Sequence, residues 1–93
     1  PHAADIALIV EVADSSLVRD RGSKLRSYAR AGIPVYWIAN LSADLLEIYT
    51  QPGVDQDGES TYQQRQDLQR TDVVEVALGA KAFGTVKVSE LLP

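Results

Sequence analysis

A short apolar run, Ile6-Ala-Leu-Ile-Val10, set between Asp5 and Glu11, constrains this chain more than any other feature. Its β-rich composition predicts a strand buried on both faces. Alternation places Ile6, Leu8, Val10 and Val12 on one face, and Ala7, Ile9, Glu11 and Ala13 on the other. Turn and cap formers follow in Asp14-Ser-Ser16. A helical pattern then runs from Leu17 or Arg19 to Ala31, with Leu25, Tyr28 and Ala29 at helical spacing. Gly22 lowers its propensity, which predicts regular helix from Ser23. Gly32 stands where a C-terminal cap glycine belongs, and Pro34 ends any continuation. Val35-Tyr-Trp-Ile-Ala39 is a second strand, dense in β-branched and aromatic residues. Together these segments predict an α/β fold with a βαβ unit. Its strands, Asp5–Ala13 and Val35–Ala39, should be adjacent and parallel, joined by a right-handed crossover through Ser23–Ala31.

Beyond Asn40 the signals weaken. Leu45 to Thr50 alternates as a third strand, antiparallel to the second. Gln51 to Gly58 carries Pro52, Gly53, Gly58 and acids, and predicts a surface loop. Thr61–Gln64, Val73–Val76 and Val86–Val88 are weaker strand candidates, and Ser89–Leu92 reads as a final helical turn.

The chain is 93 residues long, which allows one small core. Cysteine is absent, which excludes disulfides and thiolate metal sites, and the single histidine, His2, argues against a zinc site or a histidine-based triad. Metal chemistry would then use oxygen ligands, which suit magnesium, manganese or calcium. The net charge is −4, which argues against a general phosphate-neutralising surface. The charge is uneven, however: Arg19, Arg21, Lys24, Arg26 and Arg30 cluster against the single acid Asp20. The longest apolar run is far too short for a bilayer and no leader-like segment precedes it, so a cytoplasmic protein with no membrane contact is expected. The chain holds no methionine, and it opens on Pro1 close to its first strand. Residues 1–93 are therefore expected to form the C-terminal part of a single, longer domain.

Glu11 is the outstanding candidate for chemistry. A carboxylate at the end of a central strand needs a partner, a proton, a metal or water. It is either a solvated strand end or part of a ligand site at the carboxyl ends of the strands. Asp5 shares its face, but six residues of strand span roughly 20 Å, so the two cannot bind one ion. Asp14 suits capping. Lys24 follows Asp20 by four residues, the spacing of a solvated intrahelical pair, and Tyr28 lies one turn further on. Tyr36 and Trp37 read as core, and the acids of the later loop as solvated.

The segment Asp5-Ile-Ala-Leu-Ile-Val-Glu11-Val-Ala-Asp-Ser-Ser16, with Arg19-Asp20-Arg-Gly-Ser-Lys24-Leu-Arg-Ser-Tyr28 and Gly32-Ile-Pro34-Val-Tyr36-Trp37, resembles the Uma-type putative restriction endonuclease family. That family is a bacterial group of the PD-(D/E)XK nuclease superfamily. The resemblance is strong over the first half of the chain and general in layout after it. It implies a restriction-endonuclease-like mixed sheet flanked by helices. It also implies Mg2+- or Mn2+-dependent hydrolysis of phosphodiester bonds in nucleic acid, with DNA the favoured substrate. Glu11 matches the family's metal-binding strand glutamate and Lys24 its helix lysine, with Asp20 and Tyr28 in support. Two departures accompany the match. Ala13 stands where the superfamily's usual lysine follows the glutamate by two, and the metal-binding aspartate belongs to a strand upstream of Asp5. The rival expectation is a catalytically inactive nuclease fold serving oligomerisation or protein binding. An uncovered sheet edge would favour homo-oligomers. Substitution of Lys24 by alanine is expected to leave folding nearly intact if that lysine is exposed.

Overall fold

A computed structural model describes residues 7–78 and 81–92. Asp5 and Ile6, the expected start of the first strand, lie outside the described residues, as does His2. The elements are β1 (Leu8–Ala13), α1 (Leu17–Arg21), α2 (Ser23–Arg30), β2 (Val35–Asn40), β3 (Leu45–Val54), β4 (Ser60–Gln69), β5 (Val73–Leu78) and β6 (Lys81–Lys87). A 3-10 turn over Val88–Glu90 follows β6. The architecture is mixed α/β. A four-stranded mixed sheet runs β1-β2-β3-β4, and β5 and β6 form a separate antiparallel pair.

β1 and β2 pair in parallel from Leu8↔Val35 to Ala13↔Asn40, with α1 and α2 between them in sequence. β2, β3 and β4 continue the sheet antiparallel. The alternation read from the sequence decides what each face touches. Ile9, Ala13, Tyr36, Ile38, Tyr49 and Tyr62 pack with Leu25, Tyr28 and Ala29 of α2. Trp37, Ala39, Leu46 and Ile48 point the other way and pack with Val74, Val86 and Val88 of the second sheet and the turn after it. The main sheet is thus covered by helix on one face and by a hairpin on the other, two layers that neither element could support alone.

Gly22 ends α1 and begins α2. A β-carbon there would stand 2.9 Å from the carbonyl oxygen of Val18, a clash with backbone, so only glycine lets the two helices meet at this angle. α2 ends in a Schellman arrangement. Gly32, at φ 76°, donates its N–H to Ala29 and Ile33 donates to Tyr28. The expected cap glycine is therefore in place, and Ile33 is buried behind it.

The expected loop over Gln51–Gly58 is shorter than the sequence suggested. β3 continues to Val54, with Pro52 paired to Tyr62, and only residues 55–59 turn. Pro52 lies past the end of β2, where no partner on that side needs its missing N–H. β4 is longer than expected for the same reason. Its sequence is mostly glutamine and charge, and Tyr62 is its one fully buried side chain, so β3 rather than hydrophobic patterning holds its register.

Candidate functional site

The sheet register places two glutamates in one row. Glu11 of β1 stands opposite Ile38 of β2, and Ile38 stands opposite Glu47 of β3. With strands about 5 Å apart, the two carboxylates are roughly 10 Å apart on the helix-facing side. Each receives one cation from the α1–α2 segment: Lys24 reaches Glu11, and Arg21 reaches Glu47.

At the β1 end, Lys24 Nζ lies 3.4 Å from Glu11 Oε2 and 3.2 Å from Asp20 Oδ1. Tyr28 donates its hydroxyl to Glu11 Oε1 at 2.9 Å. The four residues singled out in the sequence, Glu11, Asp20, Lys24 and Tyr28, therefore meet in one cluster. Asp20 departs from expectation. It is only 1% exposed, and Ser16 donates to its Oδ2 at 2.9 Å. Its backbone carbonyl accepts the buried Tyr36 hydroxyl at 3.0 Å. The Asp20–Lys24 spacing is that of a solvated helix pair, but the α1–α2 break turns Asp20 inward, where, among the described residues, Lys24 is the one cation on Oδ1. The lysine bridges a buried acid and a reachable one.

Electrostatics follow from that geometry. The hydrogen bond to Asp20 and the charges of Asp20 and Glu11 hold the Lys24 ammonium above the ordinary lysine value despite some desolvation. Burial raises the Tyr28 hydroxyl, and its bond to Glu11 raises it further, so it serves as a proton donor toward that carboxylate.

The β3 end is closed. Glu47 is 0% exposed, and Arg21 grips both of its oxygens, with Nε 2.9 Å from Oε1. Asn40 Nδ2 donates to Oε2 at 2.8 Å, and the Tyr49 hydroxyl donates to Oε1 at 2.6 Å. Arg65 approaches to 3.7 Å and lies over the Tyr49 ring. Burial alone would push the Glu47 carboxyl up. The bonds from Arg21, Tyr49 and Asn40, with the charge of Arg65, outweigh it and hold the group below the ordinary value. Sequence reading missed Glu47, which looked like one polar position in an alternating strand. The signal available was its register with Glu11 and the placement of Asn40 on the paired strand.

Glu11 is the one carboxylate of this cluster with acceptor positions that a hard ion such as magnesium or manganese could reach. Glu11 is 26% exposed, and its carboxylate has about four acceptor positions, of which Tyr28 and Lys24 take two. Hard oxygen donors of this kind suit such ions. Among the described residues no group of three or more Asp, Glu or His side chains converges that could hold a metal ion. Also among the described residues, no helix is long and apolar enough to cross a membrane.

The architecture and the carboxylate–lysine cluster agree with a family relationship. A family model described as Uma2, putative restriction endonuclease, matches residues 1–87, nearly the whole chain. The chain belongs to that family. No curated protein matches it.

Proposed function

We propose that this chain carries part of the active site of a metal-dependent nuclease that hydrolyses phosphodiester bonds in nucleic acid, DNA being the favoured substrate. One observation carries the reading: Tyr28 and Lys24, the latter held also by Asp20, converge on a reachable Glu11 at one edge of a mixed sheet. The family's description supports the class of activity.

In this reading Glu11 supplies one carboxylate to a bound Mg2+ or Mn2+. Such an ion lowers the pKa of a bound water and neutralises phosphate charge. Tyr28 fixes the orientation of the Glu11 carboxylate through Oε1. Lys24, kept charged by Asp20, stabilises negative charge that develops on the phosphate. Lysine on α2 thereby substitutes for the superfamily's lysine two residues after the glutamate, where Ala13 is fully buried. The crossover from β1 to β2 through α2 brings that lysine within reach of Glu11.

The second carboxylate is assigned to a strand pairing along the outer edge of β1. Among the described residues β1 pairs with β2 alone, and Val10 and Val12 on it are 46% and 59% exposed. The same edge favours the second reading, a fold kept for self-association. The experiment is nuclease activity of the full-length protein with Mg2+ or Mn2+, beside Glu11→Ala. Metal-dependent cutting lost in the variant supports the enzyme. No cutting, with stable oligomers, supports the second reading.

A further inference from the structure

The cationic stretch around α1 and α2 would ordinarily be read as a phosphate-contacting surface, and Arg21 lies in its middle. Its geometry says otherwise. Two of its nitrogens are committed to Glu47, a carboxylate with no exposure of its own. Glu47 lies in the same cross-strand row as Glu11. Arg21 is one residue after Asp20 and one before Gly22, the point where α1 gives way to α2. Lys24 is on the first turn of α2, so any tilt at Gly22 moves the lysine relative to the sheet.

We propose that Arg21 is a positioning residue: clamped on buried Glu47, it fixes the α1–α2 junction and so sets Lys24 against Glu11, rather than contacting nucleic acid. The inference rests on the reading of Glu11 and Lys24 as the reacting pair. The junction has three anchors on the sheet side. Tyr36 holds the Asp20 carbonyl, Arg21 holds Glu47, and Lys24 holds Glu11. The Tyr36 bond fixes the depth of the junction as a single point, and the planar, two-pronged Arg21–Glu47 contact adds orientation. Asn40 and Tyr49 on Glu47 keep the acceptor from turning. Arg21 is still 38% exposed, so a phosphate contact is the competing role and has to be tested against.

Arg21→Lys separates the two roles in the full-length protein. Lysine keeps the charge that a phosphate needs and loses the fork that Glu47 needs. Glu47→Gln is the companion variant, and it carries the test should Arg21→Lys fail to fold in a thermal melt. Three quantities are read: the Lys24 Nζ–Glu11 Oε2 separation in crystal structures of the variants, turnover against KM, and nucleic-acid binding as a function of salt without divalent metal. Positioning requires that separation to grow beyond its 3.4 Å in both variants, breaking the Lys24–Glu11 contact. It also requires kcat to drop roughly 10- to 100-fold, the scale of small misplacements, at unchanged KM, affinity and salt slope. A Lys24–Glu11 contact left unchanged in both variants overturns the inference. So does an Arg21→Ala protein whose affinity weakens with a salt slope reduced by about one, the mark of a lost phosphate contact. A parent protein with no nuclease activity would defeat the proposed function, and the Lys24–Glu11 separation would then decide this inference by itself.

Discussion

Glu11 and Glu47 occupy equivalent places in one row of the sheet, each met by a cation from the same short helical segment. Yet one is open and one is sealed. Glu11 sits on the edge strand, held by a tyrosine hydroxyl and a lysine at 3.4 Å. Glu47 sits two strands inward, with arginine, asparagine and tyrosine donors on its two oxygens. A buried carboxylate survives only when its acceptor positions are filled, whereas an edge carboxylate can leave positions vacant for a ligand. The difference teaches that a strand's rank in the sheet sorts two similar ion pairs into one that ligands can reach and one that is sealed. Lysine suits the first as a mobile point charge, arginine the second as a rigid fork.

The largest effect is expected at the open end. Glu11→Gln keeps the shape and the Tyr28 contact but removes the charge, and should lower metal-dependent hydrolysis by orders of magnitude in an assay of the full-length protein. Parent-like rates would erase the distinction between the two carboxylates. Lys24→Ala should lower hydrolysis on a similar scale, but it also lowers the melting temperature. The sequence suggested a nearly neutral substitution because Lys24 and Asp20 looked like a solvated pair. Burial of Asp20 reverses that, since its Oδ1 loses its one cation.

The closed end should answer in stability. Arg21→Ala leaves Glu47 buried with incomplete neutralisation. Urea unfolding should show a loss of roughly 2–3 kcal/mol, below the 3–5 typical of fully buried pairs because Arg21 itself reaches water. A loss under half a kcal/mol would mean that the Arg21 clamp is not holding the sheet and helix together.

Acid sensitivity is a smaller and sharper discriminator. Glu47 has a folded-state pKa below its ordinary value of 4.5. Its contribution is therefore fully present above that ordinary value and lost as pH falls through the folded one. The parent's stability should decline in that window, and Glu47→Gln should flatten the decline while starting from a lower plateau. Identical pH profiles would show that other carboxylates carry the acid response. Smallest of all is Tyr28→Phe, which removes one hydrogen bond to a half-open carboxylate. It should cost about 1 kcal/mol in thermal or urea unfolding, with less effect on hydrolysis than Glu11→Gln.

How much of this was legible beforehand depended on period and burial. The run Leu8–Ala13, the cap glycine Gly32 and the aromatic strand Val35–Asn40 carry local signals, and the order and pairing of the first three strands followed from them. β4 was legible only as the short candidate Thr61–Gln64, because an edge strand whose inward contacts are mainly Tyr62 and Leu68 has almost no hydrophobic period to read. The candidate residues on the α1–α2 segment stood out by family resemblance, whereas their spacing read as a solvated pair and cannot tell a buried Asp20 from a solvated one. That depended on the break at Gly22, whose conformation is set by a backbone approach of Val18 rather than by propensity. Glu47 was invisible for a related reason. Its role arises from register across three strands, a property of pairing and not of any one segment.

Manganese binding tests the central contrast most directly. Mn2+ can be titrated into the full-length protein and followed by electron paramagnetic resonance, comparing parent, Glu11→Gln and Glu47→Gln. If the open carboxylate is the metal ligand and the sealed one is scaffold, Glu11→Gln should lose binding by at least about tenfold, a cost of about 1.4 kcal/mol, while Glu47→Gln binds as the parent does. Parent-like binding by Glu11→Gln, or loss of binding confined to Glu47→Gln, would contradict the account.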